Sequence, residues 1–456
     1  MQEQARVLFA LKQPLKDNEP YEEPYKSQLE DLQGNILKSH GRGAAVHLFL
    51  TFKDCEQNRV KQFLHEFKLT SAFEQLKQAE AYRNDRRPGV PFAFLCLSAS
   101  GYRYLGFDKK KQFQEFSEQF RKGMKKADLD DPPPEEWEPQ FQRELHAMLI
   151  LADDRVEKLT ELLSERRDEL EKFAEIGIEF GLTMRNAQEN PIEHFGYADG
   201  VSQPIFFQSD LKRTSASTRD LAGLDLVLVR DPCGGLPTAC GTYFVFRKLE
   251  QNVRAFKAGE RALANALKLD EDDRERAGAM VVGRFENGTP IESQGAAEEP
   301  KPGTKFTPEN NFDYERDTKG NRCPLAAHIR ITNPRTPEDN VHRIARRGIT
   351  YGDPTPPGED DDSEKFPRGG VGLLFQCCQR DIRKQFEYLQ GLANDAADPI
   401  IGQSARCTFP DLEFPKDYNK PGRMRFNFRD RFPPFVKMKG GEYFFVPSIS
   451  FFKNLM

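Results

Sequence analysis

Long hydrophobic runs are absent from this sequence of 456 residues. No stretch approaches the roughly 20 consecutive apolar residues that a membrane-spanning helix needs, so we do not expect a membrane protein. The start of the chain also lacks the pattern of a secretory signal, which is a positively charged segment followed by a long apolar stretch and a small-residue cleavage site. We therefore predict a cytoplasmic location.

An excess of positive charge is also missing. The 67 basic and 72 acidic side chains give a net charge of −5, and they are mixed along the chain without the basic patch typical of nucleic-acid binding. The eight cysteines include no CxxC pair, so neither a zinc site nor a disulfide scaffold is indicated. Two of them, Cys96 and Cys377, lie in apolar runs and are expected to be buried, reduced thiols. Nucleic acid is not an expected partner.

The hydrophobic pattern of the first half predicts the order strand, helix, strand, strand, helix, strand. The predicted strands cover residues 44–52, 92–97, 145–151 and 176–184, and the predicted helices cover 58–79 and 155–175. Apolar residues at three- and four-residue spacings indicate the helices, and short β-branched and aromatic runs indicate the strands. This order is typical of the split βαβ unit, in which helices cover a four-stranded antiparallel sheet.

The second half shows a similar order of elements. Strands are predicted at 243–246, 370–377 and 442–449, and helices at 249–267 and 380–392. Because one compact core stops growing well before this chain length, two domains are expected. We predict an α+β fold with an N-terminal ferredoxin-like domain at residues 25–205 and a C-terminal one at 206–456. The proline-rich, charged stretches 296–321 and 353–367 are expected to be exposed loops.

Four segments contain residue types that carry chemistry. In the HFGYADGVSQP run at 194–204, Gly196 and Gly200 flank Asp199, and glycine allows a backbone to approach a flat ligand or take positive φ. The CPLAAHIRITNPR run at 323–335 places small residues before His328, and the HRIARRGITYG run at 342–352 contains consecutive arginines. The GVGLLFQC run at 370–377 could form the wall of a dry pocket. Taken singly, each has an ordinary explanation: a turn, a core histidine, a solvated face or a buried strand.

Taken together and in this order, the segments resemble the dye-decolourising peroxidases. The likeness rests on the GxxDG loop, the AAHIRxTNPR-like run, the RRGxxYG run, the GLLFxCxQR strand and a terminal FFVPSISFF-like segment, and it extends from DLQGNIL at 31–37 to Phe451. The resemblance implies one haem b per chain, held between the sheet and the helices of the C-terminal domain. It also implies a peroxidase that uses hydrogen peroxide to oxidise phenolic or dye-like donors, including small aromatic reductants, through an oxoferryl intermediate.

The resemblance further implies roles for particular residues. His328 matches the proximal iron ligand, Asp199 the distal acid and Arg346, the first arginine of the RRG run, the distal arginine. Leu373 and Phe375 match residues that line the distal pocket. An ionised carboxylate can move a proton between the two peroxide oxygens, and a fixed guanidinium can stabilise the hydroperoxide anion.

Further residues are implied to contact the cofactor or its ligand. Gly196 and Gly200 would approach the haem, Arg330 and Arg335 would pair with its propionates, and Asp398 would be the acid behind the proximal histidine. Such an acid orients the imidazole and raises its basicity.

Two alternatives and one question stay open at this point. The chain could be a haem- or iron-handling protein with incidental peroxidase activity, or it could hold a non-haem metal between His194, Asp199, His328 and His342. Large donors would need a relay such as Trp137 or a tyrosine, and the sequence does not choose one. It also does not indicate the oligomeric state.

Overall fold

The computed structural model describes residues 7–86, 89–211, 218–299, 306–353, 365–402 and 411–456. The strands within these ranges are β1 Ala44–Phe52, β2 Phe92–Ser98, β3 Ala147–Asp153, β4 Ala174–Leu182, β5 Met184–Arg185, β6 Pro191–Ile192, β7 Val229–Arg230, β8 Cys240–Gln251, β9 Ala345–Arg346, β10 Ile349–Tyr351, β11 Gly372–Gln379, β12 Leu412–Pro415, β13 Arg423–Phe426 and β14 Val436–Val446. The α-helices are α1 Tyr25–Asp31, α2 Gln57–Glu66, α3 Ala72–Asp85, α4 Ala99–Tyr104, α5 Glu118–Lys122, α6 Pro139–Gln142, α7 Val156–Leu170, α8 Gln208–Leu211, α9 Val253–Leu267, α10 Glu275–Val282, α11 His328–Thr332, α12 Tyr388–Asp395 and α13 Ile449–Lys453.

The main sheet consists of two units with the same strand order. Its strands follow one another as β10, β11, β8, β14, β2, β3, β1 and β4, with the short strands β7 and β9 added to β8 and β11. In each unit the spatial order is second, third, first and fourth strand along the chain, and all neighbours are antiparallel. This is the ferredoxin-like arrangement. The predicted α+β class with two ferredoxin-like units is therefore confirmed.

The two units are continuous with each other through one strand pair. β14 pairs with β2, with Phe444 opposite Ser98 and Phe445 opposite Leu97. The outermost strands β4 and β10 also meet, because the hydroxyl of Thr350 donates a hydrogen bond to the carbonyl of Leu182. The sheet thus curls until its two ends touch. The domain boundary between residues 205 and 206 stays a prediction.

A layer of aromatic side chains fills the space between the two units. The rings of Phe49 on β1 and Phe246 on β8 have centroids 4.7 Å apart, and Phe141 lies 5.0 Å from Phe49. The ring nitrogen Nε2 of His47 on β1 lies 2.6 Å from the side-chain amide of Gln376 on β11. Burial of these large rings supplies much of the hydrophobic free energy of the core.

The predicted helix 58–79 is two helices in the structure. Between α2 and α3 the chain is extended, and the backbone N–H of Thr70 donates to the carbonyl of Ala93 at 3.0 Å. Ser71 then begins α3 with a capping box: its hydroxyl accepts from the N–H of Glu74, and the Glu74 carboxylate accepts from the N–H of Ser71, each at 3.0 Å. The capping box at Ser71 therefore starts a new helix, although the spacing of apolar residues predicted a single helix through this point.

Other element boundaries also differ from the predicted ones. Strand β8 continues to Gln251, so the predicted helix 249–267 begins only at Val253, where the Asn252 side chain accepts from the N–H of Ala255 at 3.1 Å. The predicted helix 380–392 is a π-helical turn, Arg383–Glu387, followed by α12. The predicted closing strand 442–449 is β14, which ends at Val446.

The stretch 296–321 is not a wholly exposed loop. Phe312, Tyr314 and Asp317 are buried, and the guanidinium of Arg335 lies 3.7 Å from the centroid of the Phe312 ring. Arginine stacks well on aromatic faces, which explains why a stretch rich in polar residues turns inward. Of the other predicted loop, residues 354–364 lie outside the described residues, as does Cys407.

The prediction of buried, reduced thiols is confirmed for Cys96 and Cys377. Among the helices of the described ranges, none combines the length and the apolar character needed to cross a bilayer.

Candidate active site

A cavity of about 300 Å³ lies against the C-terminal sheet. Its floor includes Leu373 and Phe375 of β11 together with Leu249 of β8. Because side chains alternate between the two faces of a strand, Leu374 points the other way and is fully buried. The resemblance implied Leu373 and Phe375 as pocket-lining residues, and the structure places both in the cavity wall.

His328 and Asp398 form a hydrogen-bonded pair at this cavity. His328 is the first residue of α11 and lines the cavity. Its Nδ1 atom lies 2.8 Å from Oδ2 of Asp398, which is fully buried. The other carboxylate oxygen of Asp398 accepts the N–H groups of Ile400 at 2.8 Å and Ile401 at 3.2 Å. These bonds hold the carboxylate in place, and the imidazole Nε2 has no hydrogen-bond partner among the described residues.

Asp199 and Arg346 form a second pair in the wall of the same cavity. Oδ1 of Asp199 lies 3.6 Å from Nη1 of Arg346, and Nη2 of Arg346 donates to the carbonyl of Val201 at 2.7 Å. The Asp199 side chain also accepts the N–H of Gly200 at 2.6 Å. Gly200 has φ of +79°, a conformation that glycine adopts without the usual steric cost. This turn directs the carboxylate towards the guanidinium.

The neighbouring Arg347 is used differently from Arg346. Arg347 is buried, and it donates to the carbonyls of Asn35 at 2.7 Å and Ile36 at 2.6 Å. Its guanidinium therefore joins the C-terminal half to the N-terminal half. Of the two consecutive arginines, the described structure brings only Arg346 to the cavity.

Three residues that the resemblance implied as haem contacts lie elsewhere. Gly196 does not line the cavity: it has φ of +101° and closes a turn by donating its N–H to the carbonyl of Glu193 at 2.9 Å. Gly200 lines an adjoining cavity of about 400 Å³, which shares Asp199 and Arg346 with the first. Arg330 is buried beside Asp317, with Nη1 at 3.0 Å from the carboxylate. The expectation that these three contact the cofactor stays a prediction, and their placement outside the lining of the 300 Å³ cavity does not support it.

A group of guanidiniums lies at one end of the cavity. It comprises Arg284, Arg335 and Arg343. Burial and, to a smaller extent, the positive charge of Arg335 lower the pKa of Arg284 to about 9. Arg335 is predicted from the sequence, whereas Arg284 stands in no recognisable motif. Arg343 lies in the 342–352 run, in which the resemblance implied a role only for Arg346. Confined cations of this kind favour an anionic ligand.

Of the four residues considered for a non-haem metal site, Asp199 and His328 line the cavity, whereas His194 and His342 do not. His194 places Nε2 at 2.8 Å from the carbonyl of Tyr351, and His342 places Nδ1 at 2.5 Å from the carbonyl of Lys384. Within the described ranges, no group of three or more histidine, cysteine or acidic residues is arranged to hold a metal ion. Trp137, considered as a relay, is buried and donates its indole N–H to the carbonyl of Pro132 at 2.8 Å.

The fold and its cavity are those of a haem-dependent peroxidase. A family model described as "Dyp-type peroxidase, C-terminal" matches residues 224–403. The multifunctional dye peroxidase DyP2 of Amycolatopsis sp. is 39% identical, and the match covers 94% of this chain and 96% of that one. The chain therefore belongs to the dye-decolourising peroxidase family.

Solved structures agree with this assignment. The crystal structure of the DyP-type peroxidase of Anabaena sp. superposes with a TM-score of 0.85 at 38% identity, covering 96% of both chains. DyP2 superposes with a TM-score of 0.86 at 37% identity, covering 97% of this chain and 99% of that one. A more distant relative is the deferrochelatase of Yersinia pseudotuberculosis, 27% identical over 49% of this chain and 43% of its own length.

Proposed function

We propose that the chain binds one haem b in the 300 Å³ cavity and uses hydrogen peroxide to oxidise small phenolic or dye-like donors. The observation that carries this proposal is the presence of two pairs in one cavity, His328 with Asp398 and Asp199 with Arg346. The relative named a multifunctional dye peroxidase supports the donor class. A cytoplasmic location stays a prediction from the sequence.

The side chains around the cavity fit haem in three ways. Leu249, Leu373 and Phe375 offer an apolar surface for a flat macrocycle, and an imidazole nitrogen is available for iron. Arg284 and Arg335 offer cations for two propionates, and an anion beside them would relieve their mutual repulsion. We propose Arg284, Arg335 and Arg343, in place of Arg330, as the candidates for the propionate end.

His328 would hold the haem iron. Its Nδ1 bond to Asp398 fixes the ring orientation and leaves Nε2 as the donor atom. The residue that holds the iron is one of the means by which a protein tunes haem, and the buried Asp398 carboxylate would orient that residue. Asp398 would thus be a positioning residue that acts through His328.

Asp199 and Arg346 would handle the protons and charge of the peroxide. Bound haem supplies an iron that accepts oxidising equivalents from peroxide and passes them to the donor. The Asp199 carboxylate would take the proton from the inner peroxide oxygen and return it to the outer one. The guanidinium of Arg346, at 3.6 Å from that carboxylate, would stabilise the hydroperoxide anion.

The first experiment is reconstitution with haem. We expect an intense Soret band, a stoichiometry of one haem per chain, and peroxide-dependent oxidation of a phenol or dye well above that of free haem. Turnover no faster than that of free haem, with intact haem binding, would instead favour the haem- or iron-handling alternative, which the distant deferrochelatase relative suggests. The Asp199–Arg346 pair favours the peroxidase, because storage or transport of haem needs no proton-transferring acid.

A further inference from the structure

Glu193 lines the cavity, and none of the roles above uses it. Its carboxylate accepts three hydrogen bonds from the protein. The backbone N–H of Phe195 donates at 2.9 Å, the backbone N–H of Tyr197 donates at 3.1 Å, and the side-chain amide of Gln251 donates as well. All three neighbours approach the carboxylate as donors.

These bonds define the turn that leads to Asp199. The main chain closes the same turn, since the N–H of Glu193 donates to the carbonyl of Tyr197 at 3.1 Å. Two residues later, the N–H of Asp199 donates to the carbonyl of Pro191 at 2.9 Å. The segment 191–199 is therefore a loop whose interior is filled by the Glu193 carboxylate and whose end is Asp199.

A carboxylate suits this position better than any neutral side chain. Both of its oxygens accept, so it satisfies two backbone N–H groups on different atoms and the Gln251 amide in addition. A glutamine at 193 has one acceptor oxygen, so in either orientation its NH₂ group would face one of the two backbone N–H groups. At least one bond of the turn would then be lost.

Gln251 connects the turn to the floor of the cavity. It is the last residue of β8, which also contributes Leu249 to the cavity. Its backbone N–H donates to the carbonyl of Val371 at 2.9 Å, next to the start of β11. Through Glu193, the loop that ends at Asp199 is thus tied to the sheet beneath the proposed haem site.

We propose that Glu193 is a positioning residue: its carboxylate holds the 193–197 turn and thereby fixes where Asp199 stands in the cavity. The proposal rests on the proposed peroxidase function, because it assigns the effect of Glu193 to the peroxide step. Burial, with a smaller contribution from the charge of Asp199, raises the pKa of Glu193 to about 7, although the bonds from Phe195, Gln251 and Tyr197 lower it. The donors thus stabilise a charge that this position otherwise disfavours.

The test compares Glu193→Gln with Glu189→Gln, which neutralises an exposed carboxylate in the same segment. In Glu193→Gln we expect faster backbone amide exchange over residues 193–200 and a roughly tenfold slower bimolecular reaction with hydrogen peroxide, at unchanged KM for the donor. Glu189→Gln should match the wild type in all three measurements. Unchanged amide exchange in Glu193→Gln would overturn the proposal.

A second comparison separates positioning from general destabilisation. In an Asp199→Asn background, Glu193→Gln should cause no further loss of the peroxide rate, because Glu193 acts through Asp199. An equal loss in both backgrounds would overturn the proposal. If Glu193→Gln does not fold, Glu193→Asp replaces it, because aspartate keeps both acceptor oxygens on a side chain one methylene shorter. This variant should show an amide exchange and a peroxide rate between those of the wild type and those expected for Glu193→Gln. Wild-type values of both quantities in Glu193→Asp would overturn the proposal. A wild-type protein that binds no haem would contradict the peroxidase function, whereas the exchange measurement would still decide the role of Glu193 in the turn.

Discussion

The two ferredoxin-like units share a strand order but differ in what their sheets face. In the N-terminal unit, all seven residues of β3 are buried, and α7 packs over the sheet. In the C-terminal unit, Leu373 and Phe375 of β11 are only half-buried because they face a cavity. The same topology thus encloses a solid core in one unit and a candidate active site in the other, so the function depends on side chains and not on the fold.

Two histidines show the same contrast. His47 lies in the buried strand β1 and meets the amide of Gln376, and burial lowers its pKa to about 3, so it stays neutral. His328 lies at the start of a short helix beside the cavity and meets a carboxylate, Asp398. A carboxylate partner together with open space makes a histidine a credible metal ligand.

The largest expected effect comes from replacing His328, the histidine that lines the cavity. His328→Ala should abolish the axial bond to iron, shift or remove the Soret band, and eliminate peroxide-dependent donor oxidation. The control is His342→Ala, which removes a partly exposed histidine of the same unit that does not line the cavity. Absorption spectra of both variants after haem reconstitution provide the measurement, and an unaltered spectrum in His328→Ala would contradict the ligand assignment.

The second-largest expected effect comes from replacing Asp199 or Arg346, the carboxylate and guanidinium pair in the cavity wall. Asp199→Asn and Arg346→Leu should each slow the bimolecular reaction with hydrogen peroxide, by roughly 10² to 10⁴-fold for the acid, the usual contribution of a positioned proton-transferring group. Stopped-flow measurement of the spectral change after mixing with peroxide tests this. The exposed Asp108→Asn in the N-terminal unit is the control. A residue whose replacement leaves the rate unchanged has no part in the peroxide step.

A smaller effect is expected from the acid behind the imidazole. Asp398→Asn keeps a hydrogen-bonding group near Nδ1 but removes the negative charge beside the His328 imidazole. We expect a 10- to 100-fold loss of activity or haem affinity and a higher reduction potential of the iron. Spectroelectrochemical titration measures the potential, with the exposed Asp395→Asn as the control. An unchanged potential would show that Asp398 does not tune the iron.

The smallest effect concerns a buried carboxylate away from the cavity. Asp231 accepts from the N–H of Ser448 at 2.8 Å and from its hydroxyl at 2.9 Å. Burial, with a smaller contribution from the charge of Asp31, raises the pKa of Asp231 to about 6. Between about pH 4 and pH 6 the folded state therefore holds a proton that the unfolded chain releases, so this group makes the free energy of unfolding fall as the pH rises.

Asp231→Asn should remove the contribution of this carboxyl group to the pH dependence of the free energy of unfolding. That contribution amounts to at most about 3 kcal/mol. Urea unfolding of wild type and variant near both ends of this pH window measures the difference. Parallel pH profiles for the two proteins would show that Asp231 does not titrate within it. The peroxide reaction should be unaffected, in contrast to the variants of the cavity carboxylates.

The sequence predicted the fold class because strand and helix periods are local properties. It also named the members of the two pairs of the cavity. His328, Asp199 and Arg346 stand in segments that resemble the family, and the resemblance implied Asp398 as the acid behind the histidine. Helix boundaries were less accurate: the spacing of Phe63, Leu64 and Phe73 fits one long helix, and only the Ser71 capping box shows where it breaks.

Residues that contribute through long-range contacts were not predictable. Arg284 reaches the cavity from the turn after α10, and Glu193 acts through the N–H groups of the residues that follow it; neither feature leaves a periodic signal. Arg330 stood in the right motif, but its guanidinium is committed to Asp317, a partner 13 positions away in a stretch that looked exposed. Local patterns identify which residue types are present, whereas three-dimensional packing decides which of them face the cavity.

The contact between β4 and β10 has a consequence for how this protein behaves among other chains. An outer strand with free N–H and C=O groups is a template for strand addition and aggregation. Here Thr350 meets Leu182, and a Cβ atom at Gly181 would come within 2.4 Å of Ile349 Cγ2. A side chain at position 181 would therefore push the two outer strands apart and offer a foreign strand a place to add.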